Sequence, residues 1–191
     1  LGYRRKAEST KKKSKHNGHY DTPKELGKKW QMDVKYVPSA CYAGEDGEKF
    51  YQYTMLEEAS RKRFIYAYRE TGGYSTCDFV KRAIIWFGYA PDTIQTDNGG
   101  EFTHTKKTKR IHPFDSLCAE LHITHKLIRP RTPWHNGKVE RSHRNDQEPF
   151  YNHLSFYSYE DLQIQMKRYL YRSNNIPMAV LGWKSPNQKQ R

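Results

Sequence analysis

Ile94-Gln95-Thr96-Asp97-Asn98-Gly99-Gly100-Glu101-Phe102 is the stretch around which the rest of the chain is organised. From Asp92 to Thr96 polar and apolar residues alternate, the pattern of a half-buried strand. The strand runs into Asp97, and Asn98-Gly99-Gly100 then supplies a turn in which glycine can take positive φ without a Cβ penalty. The stretch therefore predicts a carboxylate at the carboxyl end of a strand, beside a turn that a ligand can approach closely. Taken alone, it describes a β-hairpin turn with a solvated aspartate equally well.

Two further acids give Asp97 company. In Trp30-Gln31-Met32-Asp33-Val34-Lys35-Tyr36-Val37, the residues Trp30, Met32, Val34 and Tyr36 alternate with Gln31, Asp33 and Lys35. Asp33 thus falls on the polar face of a strand. Glu140 follows Arg129-Pro130-Arg131-Thr132-Pro133-Trp134-His135-Asn136-Gly137-Lys138-Val139. The prolines close the preceding segment, Asn136 suits an N-cap, and Glu140 lands in the first turns of a helix. Two strand carboxylates and one helix carboxylate are suited to hard divalent cations.

These blocks resemble the catalytic core of the DDE transposase and retroviral integrase superfamily, most closely the integrase-type core of bacterial insertion-sequence transposases. The resemblance rests on Trp30 to Val34, Thr96 to Phe102, Pro133 to Arg144, and Leu181-Gly182-Trp183-Lys184-Ser185-Pro186, in the family's order over residues 20–187. It implies an α/β, ribonuclease H-like fold: a mixed five-stranded sheet, with strands 1–3 an antiparallel meander followed by parallel strands, flanked by helices. It also implies that Asp33, Asp97 and Glu140 are both catalytic residues and metal ligands. They would hold two Mg²⁺ (or Mn²⁺) ions per active site, with Asp33 shared between them. The implied activity is phosphodiester hydrolysis at element ends, then transfer of the freed 3′-hydroxyl into target DNA. Candidate DNA contacts are Asn98, Gly99, His135, Asn136, Lys138 and Arg144. Glu101 reads as an acid beside the site and not a ligand. Two departures stand out. The segment between Asp97 and Glu140 is longer than related cores carry, with the excess placed in the basic loop 103–113. Seven positions after the glutamate, where many relatives carry Lys or Arg, stands Gln147.

Composition agrees with a nucleic-acid partner. The 191 residues carry 34 Lys and Arg against 21 Asp and Glu, a formal charge of +13, with aromatic residues at 14%. The odd set Cys41, Cys77 and Cys118 is widely spaced, which suggests neither a zinc ribbon nor a disulfide framework. No apolar run approaches the ~20 residues of a membrane span, and no secretory signal is visible. The expected location is therefore intracellular, in the cytoplasm or on the nucleoid. Residues 1–28 read as a basic flexible arm, 29–175 as the catalytic core and 176–191 as a basic extension. The chain starts at Leu1 and not Met, as a fragment of a longer protein would, and the arm reads either as a segment that tracks phosphates or as a solvated linker. DNA, as element ends and target, is the expected partner, with a homo-oligomer forming on it.

Between the motifs, Gly44-Glu45-Asp46-Gly47 predicts a hairpin turn. Phe50 to Leu56 and Phe64 to Tyr68 are the next two strands, with Arg61-Lys62-Arg63 a solvated turn between them. A helix over 75–88 has Ser75 and Thr76 as caps and Gly88 as its stop. Asp115 to His122 is a short helix, Thr124 to Ile128 a strand, and 159–172 another helix. The helix from Asn136 is interrupted near Pro149, and the terminal stretch with Trp183 is expected to pack back on the domain. Two rivals remain at this level. One is a recombinase with a covalent tyrosine, which leaves the three acids without a role. The other is a domesticated transposase relic that serves as a DNA-binding module.

Overall fold

A computed structural model describes residues 22–44, 47–129 and 136–190. The basic segment 1–21, Glu45 and Asp46 of the hairpin turn, and 130–135, which includes the candidate contact His135, lie outside the described residues. Five strands form one sheet: β1 (Trp30–Tyr36), β2 (Tyr51–Glu57), β3 (Arg63–Tyr68), β4 (Thr93–Thr96) and β5 (Thr124–Leu127). Their order is β3-β2-β1-β4-β5. The first three pair antiparallel, while β4 lies parallel to β1 and β5 parallel to β4. The helices are α1 (Gly73–Phe87), α2 (Pro113–Glu120), α3 (Gly137–Gln147), α4 (Tyr159–Ser173) and the short α5 (Pro186–Gln190). Among the described residues no helix is long and apolar enough to cross a membrane.

The two sheet faces differ in chemistry. One carries Trp30, Tyr53 and Phe64, which meet Phe79 and Phe87 of α1 at ring-centroid distances of 4.4–5.4 Å. These apolar residues alternate along their strands as the period of two requires. The other face carries Gln31, Gln52, Thr54 and Arg63, all buried, and α3 covers it. The polar side of β1 is therefore not a solvent face.

Several local expectations are corrected. Arg63 does not belong to a solvated turn: it opens β3, is buried, and its Nη1 stands 2.7 Å from Asp146 Oδ1 of α3. Asp146 also accepts from the Tyr169 hydroxyl at 2.8 Å. The side chain of Asn174, just beyond α4, bonds the backbone N–H and C=O of Arg63 and so covers the free edge of β3 there. Ser75 and Thr76 do not cap α1, whose N-cap is Gly72; Thr76 Oγ1 donates instead to the Glu101 carbonyl. Gly88 does stop α1, in the left-handed region at φ 81°. Trp183 is 75% exposed, because the turn at Gly182 and Trp183 has positive φ and turns the ring outward. What returns to the domain is α5, whose Gln190 amide reaches the Phe87 carbonyl and the Tyr89 hydroxyl.

Removing one partner of a buried ion pair strands the other charge. Asp146→Ala should therefore lower unfolding stability by about 3–5 kcal/mol, whereas Arg63→Met combined with Asp146→Leu should cost markedly less. Urea denaturation of both variants checks this; an equal or greater loss in the double variant would mean that the pair is worth more than its desolvation.

Candidate active site

The site starts from strand register. Trp30 pairs with Ile94 and Gln31 with Gln95 across the parallel β1–β4 ladder. Two residues further on each chain stand Asp33 and Asp97, on the same side as Gln31 and Gln95. Asp97 lies just past the end of β4, where its Oδ1 accepts from the Gly99 N–H at 2.9 Å. The Asn98 amide donates to the Ile128 carbonyl at 3.2 Å, which ties the turn to the end of β5.

Glycine is not required in this turn for handedness. Gly99 and Gly100 are absent from the positive-φ residues. A Cβ on Gly99 would lie 2.7–2.8 Å from the Glu101 carboxyl group. Gly99 thus lets Glu101 fold over the turn, toward the other acids.

Glu140 comes from α3, and the start of that helix is held by β1. The Asn136 side chain does not cap it: Asn136 is buried, its Nδ2 donates to the Met32 carbonyl, and its Oδ1 has no partner. The capping role passes to Gln31, whose Oε1 accepts the Val139 N–H at 3.0 Å. Adjacent same-face residues of β1 thereby do two jobs, Gln31 seating the helix and Asp33 providing an acid beneath it.

The charge balance at Asp33 shows that the acids have been brought together. Its carboxyl is pushed up to about 7, first by burial and then by Asp97, with smaller contributions from Glu140 and Glu101; its own bond from Val34 N–H opposes the rise. Burial also raises Glu101, and Asp97 adds to the shift. As placed, no three His, Cys, Asp or Glu side chains among the described residues form a group able to hold a metal ion. The donor set nonetheless suits one chemically: its carboxylate oxygens are the ligands of hard divalent cations, and a cation would offset both the burial and the neighbouring charges that raise the Asp33 carboxyl.

Of the candidate DNA contacts, Asn98 and Arg144 are exposed. Arg144 makes no ion pair with Glu140, one turn away, so the two groups are independent. Lys138 is turned away from the acids: its Nζ bonds Glu58, which is fully buried, and Thr22 Oγ1. Sequence reasoning missed His143, Thr54 and Gln31. His143 stands on α3 three residues after Glu140, its Nε2 2.8 Å from Thr54 Oγ1 and its Nδ1 3.4 Å from Asp33 Oδ2. The i, i+3 spacing from Glu140 is the signal that could have found it.

Comparison with known proteins gives the family. Two family models, each described as an integrase core domain, match residues 23–133 and 121–186. The first spans more than half the chain, so this chain belongs to the integrase core domain family. A candidate integrase, the ORF3 product of Spiroplasma virus SpV1-C74, is 30% identical over 169 residues, covering 84% of this chain and 46% of that protein. The Gag-Pro-Pol polyprotein of sheep pulmonary adenomatosis virus is 29% identical over 117 residues, covering 60% of this chain and 6% of the polyprotein. The chain therefore spans less than half the length of these curated relatives. Among solved structures, the simian T-cell lymphotropic virus intasome, in complex with a PP2A regulatory subunit, gives a TM-score of 0.69 at 18% identity. That match covers 91% of this chain and 58% of the other. The HTLV-2 integrase catalytic core domain in complex with magnesium gives 0.60 at 19% identity, covering 87% and 97%. The fold is ribonuclease H-like.

A carboxyl that is protonated more readily in the folded than in the unfolded chain destabilises the fold as pH rises. Asp33 moves from 3.8 to about 7, so its cost sets in above pH 4 and is complete above pH 7. In metal-free protein Asp33→Asn should then be more stable than the parent at pH 8 by on the order of 2–4 kcal/mol, and nearly equal to it at pH 4. Thermal melts across that range test it; no gain at pH 8 would show that Asp33 feels little of its neighbours.

Proposed function

We propose that this chain is the catalytic core of a transposase or integrase that cuts phosphodiester bonds at element ends with divalent cations and joins the freed 3′-hydroxyl to target DNA. Membership of the integrase core domain family supports a transposase or integrase role. The observation that carries the finer reading is the β1–β4 register, which sets Asp33 beside Asp97, with Glu140 and Glu101 also acting on the half-buried carboxyl of Asp33.

Asp33, Asp97 and Glu140 are the residues that would hold Mg²⁺ or Mn²⁺. When bound, two such ions activate the attacking oxygen and stabilise the leaving one. Asp33 stands on β1, which pairs with β4 leading to Asp97 and packs beneath α3 carrying Glu140, and this suits a shared ligand. The turn at Asn98–Gly100 leaves backbone open to the DNA strand. Arg144, free of Glu140 and on the same helix, offers a phosphate contact in the absence of a cation at Gln147. Lys106, Lys107, Lys109 and Arg110 are exposed in a loop pinned to the active-site turn, where His112 Nε2 lies 3.3 Å from the Gly100 carbonyl. They would place positive charge beside the scissile strand. Lys138, held by Glu58, is assigned to seating α3 and not to DNA. On DNA the chain would act as a multimer; the similar HTLV-2 integrase catalytic core domain is known in a dimeric and a trimeric form.

The test is nicking of labelled element ends in Mg²⁺. Asp33→Asn, Asp97→Asn and Glu140→Gln should each lower the rate by roughly a thousandfold, the equivalent of several kcal/mol of charge stabilisation. All three variants should remain folded, since each removes a charge from a repelling cluster. Near-normal cleavage by any of them would refute the assignment. DNA binding by the parent protein without metal-dependent nicking would favour a binding module.

A further inference from the structure

A chain of polar contacts beneath α3 joins Asp33 to the Arg63–Asp146 pair near the C-terminal end of that helix. Asp146 Oδ2 accepts from Gln52 Nε2 at 3.3 Å, and Gln52 Nε2 also donates to Thr54 Oγ1 at 2.9 Å. Thr54 Oγ1 lies 2.8 Å from His143 Nε2, and His143 Nδ1 lies 3.4 Å from Asp33 Oδ2. Gln52, Thr54 and Asp146 are fully buried and His143 very nearly so.

The direction of the hydrogen bonds along this chain is set at its far end. Asp146, ion-paired to Arg63, is a carboxylate and only accepts. The Gln52 amide must therefore turn its NH₂ toward Asp146, and its Oε1 is left to accept from the Tyr151 hydroxyl. The second N–H of the same NH₂ goes to Thr54 Oγ1. The Thr54 hydroxyl, having accepted there, has its own hydrogen to give, and His143 Nε2 is the acceptor in reach. An imidazole that accepts at Nε2 carries its hydrogen at Nδ1 when neutral. The opposite tautomer would leave the Thr54 hydrogen without a partner.

We propose that His143 is a positioning residue for Asp33: a neutral imidazole, fixed by Thr54 as its Nδ1–H tautomer, that presents this N–H to Oδ2 and sets the rotation of the carboxylate. The idea rests on the metal-binding role proposed above for Asp33. Groups behind a ligand that fix its orientation commonly change metal affinity about 10–100-fold. His143, Thr54 and Gln52 form such a group, and α3 is its carrier, so the helix that brings Glu140 also orients Asp33.

Two measurements test it. In metal-free, ¹⁵N-labelled parent protein at pH 7, long-range imidazole ¹H–¹⁵N correlations should show His143 protonated at Nδ1 and bare at Nε2. The Nε2–H tautomer, or an imidazolium, overturns the proposal. The second compares two amides. In His143→Asn the amide nitrogen replaces Nδ1 and keeps a donor toward Asp33. In His143→Gln the amide reaches the Nε2 position and keeps only the Thr54 contact. Free Mn²⁺, followed by electron paramagnetic resonance, should give half-saturation within about threefold of the parent for His143→Asn and raised about tenfold or more for His143→Gln. Equal effects of the two variants overturn the proposal. If the parent neither binds Mn²⁺ nor nicks DNA, the function proposed above fails, while the tautomer measurement still decides the state of His143.

Discussion

Everything in the site follows from the pairing of β1 with β4. The ladder is parallel and in a register that sets Gln31 beside Gln95, so the next residues on the same face, Asp33 and Asp97, are neighbours by backbone geometry. The sheet holds two like charges side by side, and α3 then adds a third acid from above. Folding offsets that repulsion elsewhere, with the aromatic core between the sheet and α1, and leaves Asp33 holding its proton to about pH 7.

The interior beneath α3 is polar, which is unusual for a helix–sheet contact and costly unless every group is satisfied. Here it nearly is. Glu58, fully buried, meets Lys29 and Lys138 and accepts from Gln31; Asp146 meets Arg63, Tyr169 and Gln52. These two buried carboxylates stand near the two ends of α3, one pairing with Lys138 and the other a residue of the helix. Between them lie Glu140 and His143, the residues that face the site. Polar contacts are directional, so this arrangement fixes both the rotation and the register of the helix more narrowly than apolar packing would.

Much of this was legible in the sequence. The five strands, the helices and the three acids follow from alternation, helical spacing and turn residues, and the resemblance of four ordered motifs tied them to one architecture. What was not legible depends on tertiary partners. Arg63 looked like part of a basic turn because its partner, Asp146, is distant in the chain. Lys138 looked like a DNA contact because nothing local marks Glu58 as buried. Asn136 has the composition of a cap, yet Gln31 does the capping from another strand. Gly99 and Gly100 suggested left-handed backbone, whereas neither has positive φ and the Glu101 carboxyl group folds over Gly99. His143 drew no attention, since its one local mark is the i, i+3 spacing from Glu140, and its partners Thr54 and Asp33 are distant in the sequence.

The central claim is that Asp33, Asp97 and Glu140 form one divalent-cation site. The most direct measurement is anomalous diffraction at the manganese edge from crystals soaked in Mn²⁺. We expect a peak between Asp33 and Asp97, with an oxygen of each at about 2.0–2.2 Å and Glu140 turned toward the same site, close to the spacing of hard cations on carboxylates. An occupied ion elsewhere, with Asp33 and Asp97 unliganded, would contradict it.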